Sequence, residues 1–357
     1  MSFRRRMSSL ALCVAVGAAG LLAMAESASA DSITPITSFT DPRGSMANTP
    51  GTLVKGLYGP YTICPAGTSS GSCVDGQLHN QINFAAPAPC TNCYITDMVP
   101  NLVDTSGNTV NLAQDVMLHH FVLIDPSRQD SVCPTGLQGQ LGMRFFASGN
   151  ERTGGALPPG FGYHLGTDPV RTIVDLMNHS PEPKVVSIKA TITHVPDSTP
   201  DMAPVTPVWL DENNCGTSEY AVPAGPSHQV WRWTSTITGR VLAAGGHVHD
   251  GGIKTVLSNE TTGQHLCTSY ARYGRNPAYM GSVESMTTCI HDRLGTVRAG
   301  EVLALDTYYD VPQARNGVMG IMIAYVYETD DLGGGAPPPA ESAPAPAESA
   351  PPPSHHH

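Results

Sequence analysis

The chain has 357 residues with a formal net charge of −11, and its 36 glycines and 31 prolines contrast with only 14% charged residues. The acidic balance and the lack of a basic patch exclude nucleic acid as an expected partner. Frequent turn formers indicate many short strands, and the length exceeds what one ordinary core holds, so we expect two domains.

The first 30 residues have the pattern of a secretory signal peptide. Three arginines at positions 4–6 precede an apolar run over residues 10–25, and small residues at 28–30 form a cleavage site. We therefore predict an exported, extracellular protein whose mature chain begins at Asp31. The adjacent arginines leave the export route open. No later apolar run is long enough to span a bilayer.

Eight cysteines follow the predicted cleavage site, and an even number in an exported protein indicates disulfides. Cys267 and Cys289 bracket one short segment, so we predict that they pair. Cys90 and Cys93 could form a redox or zinc motif, but no second C-x-x-C and no thioredoxin-like pattern accompanies them. We therefore expect structural disulfides, and the remaining pairings stay open.

Residues 31–196 are predicted to form a first β-sandwich domain, after a loose lead-in that ends near residue 50. Short apolar runs alternate with turn signals over residues 52–125. Residues 117–124 and 173–177 predict two further strands, and the alternation over residues 186–193 predicts a half-buried strand. The prolines at 196 and 200 break that strand and mark the predicted domain boundary.

Residues 200–330 are predicted to form a second domain of the same kind. Its clearest strands lie over residues 208–210, 230–233, 241–244, 253–257, 302–308 and 320–327. From residue 331 the composition changes to Gly, Pro, Ala, Glu and Ser, which predicts a disordered tail over residues 331–357. The histidines at 355–357 lie in this tail and are left out of the predicted site. The expected fold is all-β, with two tandem jelly-roll-like β-sandwich domains.

A pair of histidines two residues apart, His247 and His249, follows the apolar run over residues 241–244. Because side chains alternate along a strand, both imidazoles leave one face and can bind one metal ion. An isolated pair of this kind is about as often a surface feature beside a glycine-rich turn. Its meaning therefore depends on further ligands elsewhere in the chain.

Four other residues can supply those ligands. His119 and His120 are adjacent, so both can reach one metal only at a bulge or a strand end. His179 follows the strand predicted over residues 173–177, and Met319 is expected in the last strand, on the same face as Ile321. The first domain thus offers His119, His120 and His179, and the second offers His247, His249 and Met319.

The donor types of these two sets favour copper. Imidazole suits copper, zinc, iron and nickel, whereas a thioether selects Cu(I) over zinc. Taken alone, Met319 is more often a core residue and His179 a loop residue, and His164 is the first reserve ligand in the first domain. Asp250 is expected to orient a ligand or to cap a turn.

The order and spacing of the six residues resemble those of the two-copper, ascorbate-dependent monooxygenases, the family of peptidylglycine α-hydroxylating monooxygenase and dopamine β-monooxygenase. That family has an adjacent histidine pair and a later histidine in its first domain, then H-x-H and a methionine in its second. The resemblance covers roughly residues 50–328.

The resemblance implies two copper ions that face each other across a wet cleft. The copper held by His247, His249 and Met319 would bind O₂ and remove hydrogen from a substrate C–H bond. The copper held by three histidines would store and deliver an electron, with ascorbate or another donor as the reductant.

The chain departs from the peptide-hydroxylating branch of that family. Gly245 stands where the branch has an arginine that helps to hold the substrate carboxylate, and Ile321 and Ile323 replace an assisting asparagine and tyrosine. The implied substrate is therefore a small or peptide-like molecule of unknown identity. Two alternatives stay open: a non-catalytic copper-binding or copper-handling protein on the same fold, and a hydrolytic zinc site built on three histidines.

Overall fold

The computed structural model describes residues 31–37, 51–213 and 215–333. The predicted signal peptide, most of the predicted lead-in and residues 334–357 of the predicted tail lie outside the described residues. The described part of the chain is almost entirely β-structure, with α1 (Gly136–Leu141) and two 3-10 turns at Leu112–Gln114 and Pro277–Tyr279 as its helices. The all-β prediction is confirmed.

The N-terminal half forms two sheets. Its strands are β1 (Ser32–Ile36), β2 (Thr52–Ile63), β3 (Ser69–Ser70), β4 (Cys73–Val74), β5 (Gln77–Ala86), β6 (Cys93–Asp104), β7 (Val116–Asp125), β8 (Met143–Gly149), β9 (Gly155–Ala156), β10 (Phe161–Leu165), β11 (Val170–Asn178), β12 (Lys184–Pro196) and β13 (Ala203–Pro204). One sheet has the order β1-β2-β12-β6-β10-β13, with β9 beside β6, and the other has the order β3-β4-β5-β11-β7-β8. Their apolar faces pack together, and the rings of Tyr58 and Phe121 meet at 5.5 Å between centroids.

The C-terminal half repeats this layered arrangement. Its strands are β14 (Thr206–Asp211), β15 (Tyr220–Val222), β16 (Gly225–Thr234), β17 (Gly239–Val248), β18 (Gly252–Asn259), β19 (Gln264–Arg272), β20 (Ser285–Met286), β21 (Thr288–Val297), β22 (Val302–Val311), β23 (Arg315–Val318) and β24 (Gly320–Glu328). The sheets are β14-β24-β17-β21 and β16-β22-β18-β19-β20, with β15-β23 as a separate ribbon. Each of the six apolar runs predicted in this half lies inside one strand.

The strand predicted over residues 186–193 is more deeply buried than its pattern indicated. Its apolar positions are buried as expected, but Thr191 and Thr193 are buried too, at 3% and 4% exposed. This strand, β12, pairs with β2 on one side and β6 on the other. The prediction of a half-buried strand was wrong, because β12 is a central strand and side chains on both of its faces are buried.

An apolar core cluster spans the two halves. Trp209, Ile321 and Tyr325 from the C-terminal half belong to the same buried cluster as Phe145 and other residues of the N-terminal half. The Tyr325 hydroxyl donates a hydrogen bond to the Phe145 carbonyl oxygen at 2.9 Å. The strand β12 ends at Pro196 and β14 begins at Thr206, and the position of the domain boundary between them stays a prediction.

Four disulfides connect the eight cysteines of the described chain: Cys64–Cys73, Cys90–Cys93, Cys133–Cys215 and Cys267–Cys289. The predicted pair, Cys267 with Cys289, is confirmed, and the C-x-x-C motif is a disulfide. The bond between Cys133 and Cys215 joins the two halves. Within residues 31–37, 51–213 and 215–333, the structure has no helix with the length and apolar character needed to cross a bilayer.

Candidate metal centre between the two halves

The adjacent histidines lie at a bulge in β7. This strand pairs with β11 so that Leu118 lies opposite Leu176 and His120 lies opposite Asp175. His119 is therefore the extra residue between two consecutive partners, which is the definition of a bulge. The rings of His119 and His120 lie 4.1 Å apart between centroids. The prediction that these neighbours can face one point only at a bulge or strand end is confirmed.

The second pair reaches the same place from the end of β17. His247 lies opposite Ile321 of β24, and His249 follows directly after the last residue of β17. The Nε2 atoms of His247 and His249 each lie 3.3 Å from Nε2 of His120. The imidazoles two residues apart therefore leave β17 on one side, as their spacing predicts, and they meet the bulge of β7.

In three of the four rings, Nδ1 contacts an oxygen atom, a different one for each ring. The contacts are His120 Nδ1 with Asp175 Oδ2 at 3.1 Å, His247 Nδ1 with Glu151 Oε1 at 3.1 Å, and His249 Nδ1 with the Gly317 carbonyl oxygen at 2.8 Å. Carboxylate and carbonyl oxygens accept hydrogen bonds, so each Nδ1 donates. Each Nε2 of a neutral ring then carries a lone pair directed toward the cluster.

This arrangement fits a metal ion. Lone pairs on nitrogens 3.3 Å apart repel one another unless a cation lies between them. Imidazole–metal bonds of about 2.0–2.1 Å at tetrahedral angles place the nitrogens about 3.3–3.4 Å apart. The observed separations therefore match ligands of a single ion, with the hydrogen-bonded oxygens holding each ring in the metal-binding tautomer.

His119 can be the fourth ligand. One ring nitrogen each of His119, His120 and His249 lie within 4.8 Å of one another. The Nδ1 atom of His119 is buried and has no hydrogen-bond partner among the described residues. A buried imidazole nitrogen without a partner is costly in a folded protein, and a bound cation would remove that cost.

Burial keeps His119 and His120 neutral, which is the form that binds metals. Desolvation holds the pKa of both His119 and His120 well below the usual value, and repulsion from neighbouring imidazoles lowers it further. Burial raises the pKa of Asp175. Burial also opposes ionisation of Glu151, but the contact with His247 outweighs it and the pKa of Glu151 is lowered. Glu151 is therefore ionised and can accept a hydrogen bond from the Nδ1–H group of His247.

Met319 lies beside the cluster, and one hydroxyl group connects it to His249. Its side chain is 6% exposed and borders the same cavity as His120 and His247. The Tyr309 hydroxyl donates to the Met319 carbonyl oxygen at 2.5 Å and accepts from the backbone N–H of His249 at 2.8 Å. Tyr309 therefore fixes the backbone of two predicted ligands relative to each other.

His179 lies apart from the other predicted ligands. It is exposed just beyond the end of β11, four residues past Asp175, which is roughly 13 Å along a strand. Its backbone N–H donates to the Asp115 carbonyl oxygen at 2.8 Å. The reserve ligand His164 packs against Tyr94, with ring centroids 5.1 Å apart, and is also outside the cluster. The structure thus joins the two histidine pairs in one cluster and does not place them in two separate three-ligand sets.

The Asp250 carboxylate binds a loop. Its carboxylate accepts hydrogen bonds from the Ser282 hydroxyl at 2.7 Å and from the Val283 backbone N–H at 2.9 Å. It therefore fixes the loop before β20, which agrees with the turn-capping alternative.

Sequence reasoning missed the residues that orient the rings. Asp175 had a signal, because it is a lone charged residue in the apolar strand predicted over residues 173–177. Glu151 and Tyr309 had none, since nothing local distinguishes them from other loop and strand residues. His79 was missed as well, and it borders both cavities beside the cluster.

Two cavities flank the histidine cluster. The first, which we call the inter-sheet cavity, has a volume of about 510 Å³ and lies between β5-β11-β7-β8 and β14-β24-β17-β21. His120, His247 and Met319 border it. The second has a volume of about 670 Å³ and is bordered by His119 and His249. Because His247 borders both cavities, the cluster can be approached from two sides.

Fold and site together define an all-β protein with a histidine cluster, a candidate metal centre, at the junction of its two halves. The family described as "Stress up-regulated Nod 19" matches residues 185–329, which contain His247, His249 and Met319. The chain is 29% identical over 289 residues to "Probable copper-dependent oxygenase M1" of Phoma sp., covering 75% of this chain and 71% of that protein. It is 28% identical over 248 residues to "Probable copper-dependent oxygenase clz3" of Cochliobolus lunatus, covering 64% and 78%.

Proposed function

We propose that this protein is an exported copper-dependent oxygenase that uses O₂ and a reductant to hydroxylate a C–H bond of a small molecule. The observation that carries the proposal is the convergence of four imidazoles, three of them with Nδ1 bonded to oxygen. The names of the two relatives support copper and an oxygenase reaction. The four disulfides support export, because such bonds persist in oxidising compartments.

Each residue of the cluster has a distinct part in this proposal. His119, His120, His247 and His249 hold the copper ion, which when bound supplies the redox chemistry with O₂. Asp175 and Glu151 hold the protons on the Nδ1 atoms of His120 and His247. The reductant, ascorbate or another donor, has access to the cluster through one of the two flanking cavities.

The number of copper ions can be measured directly. Two ions in separate sets, as the resemblance implies, would require the two histidine pairs to move apart, because their Nε2 atoms lie 3.3 Å from each other. We therefore propose one copper ion for the arrangement described. Metal analysis should give one equivalent per chain with a mononuclear Cu(II) signal in electron paramagnetic resonance. Two equivalents, with occupancy lost in His179→Ala, would support the two-copper prediction instead.

The decisive test of function is anaerobic copper titration followed by oxygen uptake driven by ascorbate. We expect copper-dependent oxygen uptake in the wild type, loss of copper binding in His120→Ala, and unchanged binding in the control His164→Ala. Copper binding without any oxygen uptake would support the non-catalytic copper protein. Preferential binding of zinc over Cu(I) would support the hydrolytic alternative.

Met319 as a sulfur ligand is a separate proposal that one substitution tests. Met319→Leu conserves volume, so the stability loss should stay under about 1.5 kcal/mol, whereas Cu(I) affinity should fall because the soft donor is lost. X-ray absorption of the reduced wild type should show a sulfur neighbour of copper that Met319→Leu lacks. The control is Met322→Leu, a fully buried core residue of β24, the strand that begins one residue after Met319 and so does not include it as predicted. A wild-type spectrum with only nitrogen and oxygen neighbours would refute this role.

A further inference from the structure

We infer that the substrate is an uncharged, largely apolar molecule that binds in the inter-sheet cavity beside His120 and His247. The inference rests on the proposed oxygenase function, since it names the substrate class of the same site. Three features of the cavity support it: the apolar walls, the neutralised charges on the border and the volume.

One wall is a continuous row of apolar side chains on the β5-β11-β7-β8 sheet. Ile82, Ile173, Val122 and Ala147 are successive cross-strand partners from β5 to β8, so their side chains share one face. All four border the cavity and are only partly buried. This face thus presents apolar surface to the cavity instead of filling it.

The opposite wall is a matching row on the β14-β24-β17-β21 sheet. Trp209 lies opposite Ile323, and Ile323 lies opposite Gly245 on β17. Ile321 lies two residues before Ile323 and therefore on the same face. A side chain at Gly245 would meet only the Thr288 methyl group, at 3.3 Å, so the glycine keeps this wall open. Both walls therefore favour burial of apolar ligand surface.

The buried charges that border the cavity are already neutralised. The Arg144 guanidinium lies 2.8 Å from Asp130 and 4.4 Å from the ring centroid of Trp209, and its side chain is 4% exposed. The carboxylates of Glu151 and Asp175 bind histidine Nδ1 atoms. Glu219, a further carboxylate on the cavity border, is exposed to water. A substrate carboxylate, phosphate or ammonium group buried in the cavity would therefore lose its hydration without gaining a buried, unpaired partner of opposite charge.

The size of the cavity fits a small molecule. Its volume of about 510 Å³ lies inside the range of roughly 300–1,000 Å³ that small-molecule sites occupy. With the histidine cluster on its border, an apolar ligand that fills the cavity has its C–H bonds beside the proposed metal. A peptide with a free C-terminal carboxylate is disfavoured by the same neutralised charges.

Three probes that share an eight-carbon chain and differ in the charge of the head group test the inference: 1-octanol, octanoate and octylamine. Their binding to metal-free protein is measured by titration calorimetry at pH 7.5. We expect octanol to bind at least about tenfold more tightly than either charged probe, and at a single site. Equal or tighter binding of octanoate or octylamine would overturn the inference. The measurement needs only wild-type protein, so it does not depend on the folding of any variant.

A substituted cavity wall assigns the probe to this site. Gly245→Arg adds a cation to the wall, so octanol binding should weaken and octanoate should become the preferred probe. The control Ile253→Arg adds the same charge on β18 at a residue 44% exposed and outside the cavity, and it should leave the wild-type order unchanged. An equal loss of octanol binding in both variants would show that octanol binds outside the inter-sheet cavity and would overturn the inference.

The two proposals fail separately. Selective octanol binding in a protein without copper-dependent oxygen uptake would refute the oxygenase and keep the selectivity of the cavity. Oxygen uptake in a protein that prefers octanoate would refute only the substrate class.

Discussion

The carboxylate behind His247 determines which ring nitrogen faces the cluster. Glu151 accepts from Nδ1 at 3.1 Å and is itself fixed by the Gly149 backbone N–H at 3.0 Å. Glu151→Gln replaces this charged acceptor with an amide that can also donate, so the tautomer of His247 is no longer fixed. Because loss of such a partner typically weakens metal binding about 10–100-fold, we expect that fall in Cu(I) affinity, measured by competition with a chelator.

The matched control for this substitution is Glu219→Gln. Glu219 is an exposed carboxylate that borders both cavities and, among the described residues, forms no hydrogen bond with a histidine ring. Its substitution should leave Cu(I) affinity within about twofold, which is less than about 0.5 kcal/mol. An equal loss in both variants would show that the effect is one of general charge and not of ring orientation.

Glu212 should make the stability of the fold depend on pH. Burial raises its pKa to about 8, partly offset by the nearby Thr307 hydroxyl, and the carboxylates of Asp306 and Asp211 raise it further. Between pH 4.5 and 8 the unfolded chain has lost this proton while the folded protein keeps it. The free energy of unfolding should therefore fall as pH rises through this window and level off above it.

Glu212→Gln removes that titration. The variant should match the wild type near pH 5 and be more stable above pH 8, by roughly 3–5 kcal/mol as an upper bound from the linkage relation. Urea unfolding at both pH values measures the difference. The same pH dependence in the variant and in the wild type would assign the effect to another group.

At the scale of elements, local pattern predicted how each histidine pair leaves its strand but not what it meets. His119 and His120 are neighbours in the chain, so their side chains can point the same way only at a bulge or a strand end. Side chains alternate along a strand, so His247 and His249 point to one side. The register of β7 against β11, which brings Asp175 to His120, depends on side-chain packing across the whole sheet. No local signal contains that register, so the lone charge of Asp175 stands out in the sequence but its partner His120 could not be predicted.

The close approach of β17 to its neighbouring sheet depends on a glycine just before His247. A β-carbon at Gly246 would overlap the Thr255 hydroxyl and lie 2.9 Å from the β-carbon of Ser269, whereas one at Gly245 would meet only a methyl group at 3.3 Å. Gly246→Ala should therefore cost about 1–3 kcal/mol through overpacking and displace His247. The matched substitution Gly245→Ala should cost less than about 1 kcal/mol.

Chemical unfolding and copper affinity together test this element. Gly246→Ala should lower both quantities, because the displaced strand end carries two of the four imidazoles. If Gly246→Ala and Gly245→Ala behave alike, the spacing between the sheets is not what positions His247.

At the scale of the whole molecule, the histidine cluster forms only where the two halves meet. The sequence predicted one ligand set for each half, because spacing along a chain shows which residues are near each other within a domain. The contact between halves is made by distant residues such as Trp209, Phe145 and Tyr325, whose role is apolar packing. That contact brings His120 against His247, and no motif in the sequence encodes it.

The disulfide between Cys133 and Cys215 should therefore support metal binding as well as stability. It closes a separation of 82 residues across the junction, whereas Cys267–Cys289 closes 22 within one half. Loop-closure entropy predicts losses of about 4.5 and about 3.4 kcal/mol when each pair is replaced by alanine. Only the first replacement frees the halves to separate, so it should also lower copper affinity.

Urea unfolding and copper titration of the two double variants separate these effects. We expect Cys133→Ala with Cys215→Ala to weaken copper binding at least tenfold, which is about 1.4 kcal/mol, and Cys267→Ala with Cys289→Ala to leave it within about twofold. Copper would bind histidines from both halves. Without the disulfide, binding must also order the two halves relative to each other, and this cost lowers the copper affinity. Equal copper affinity in both variants would show that apolar packing alone holds the two histidine pairs together.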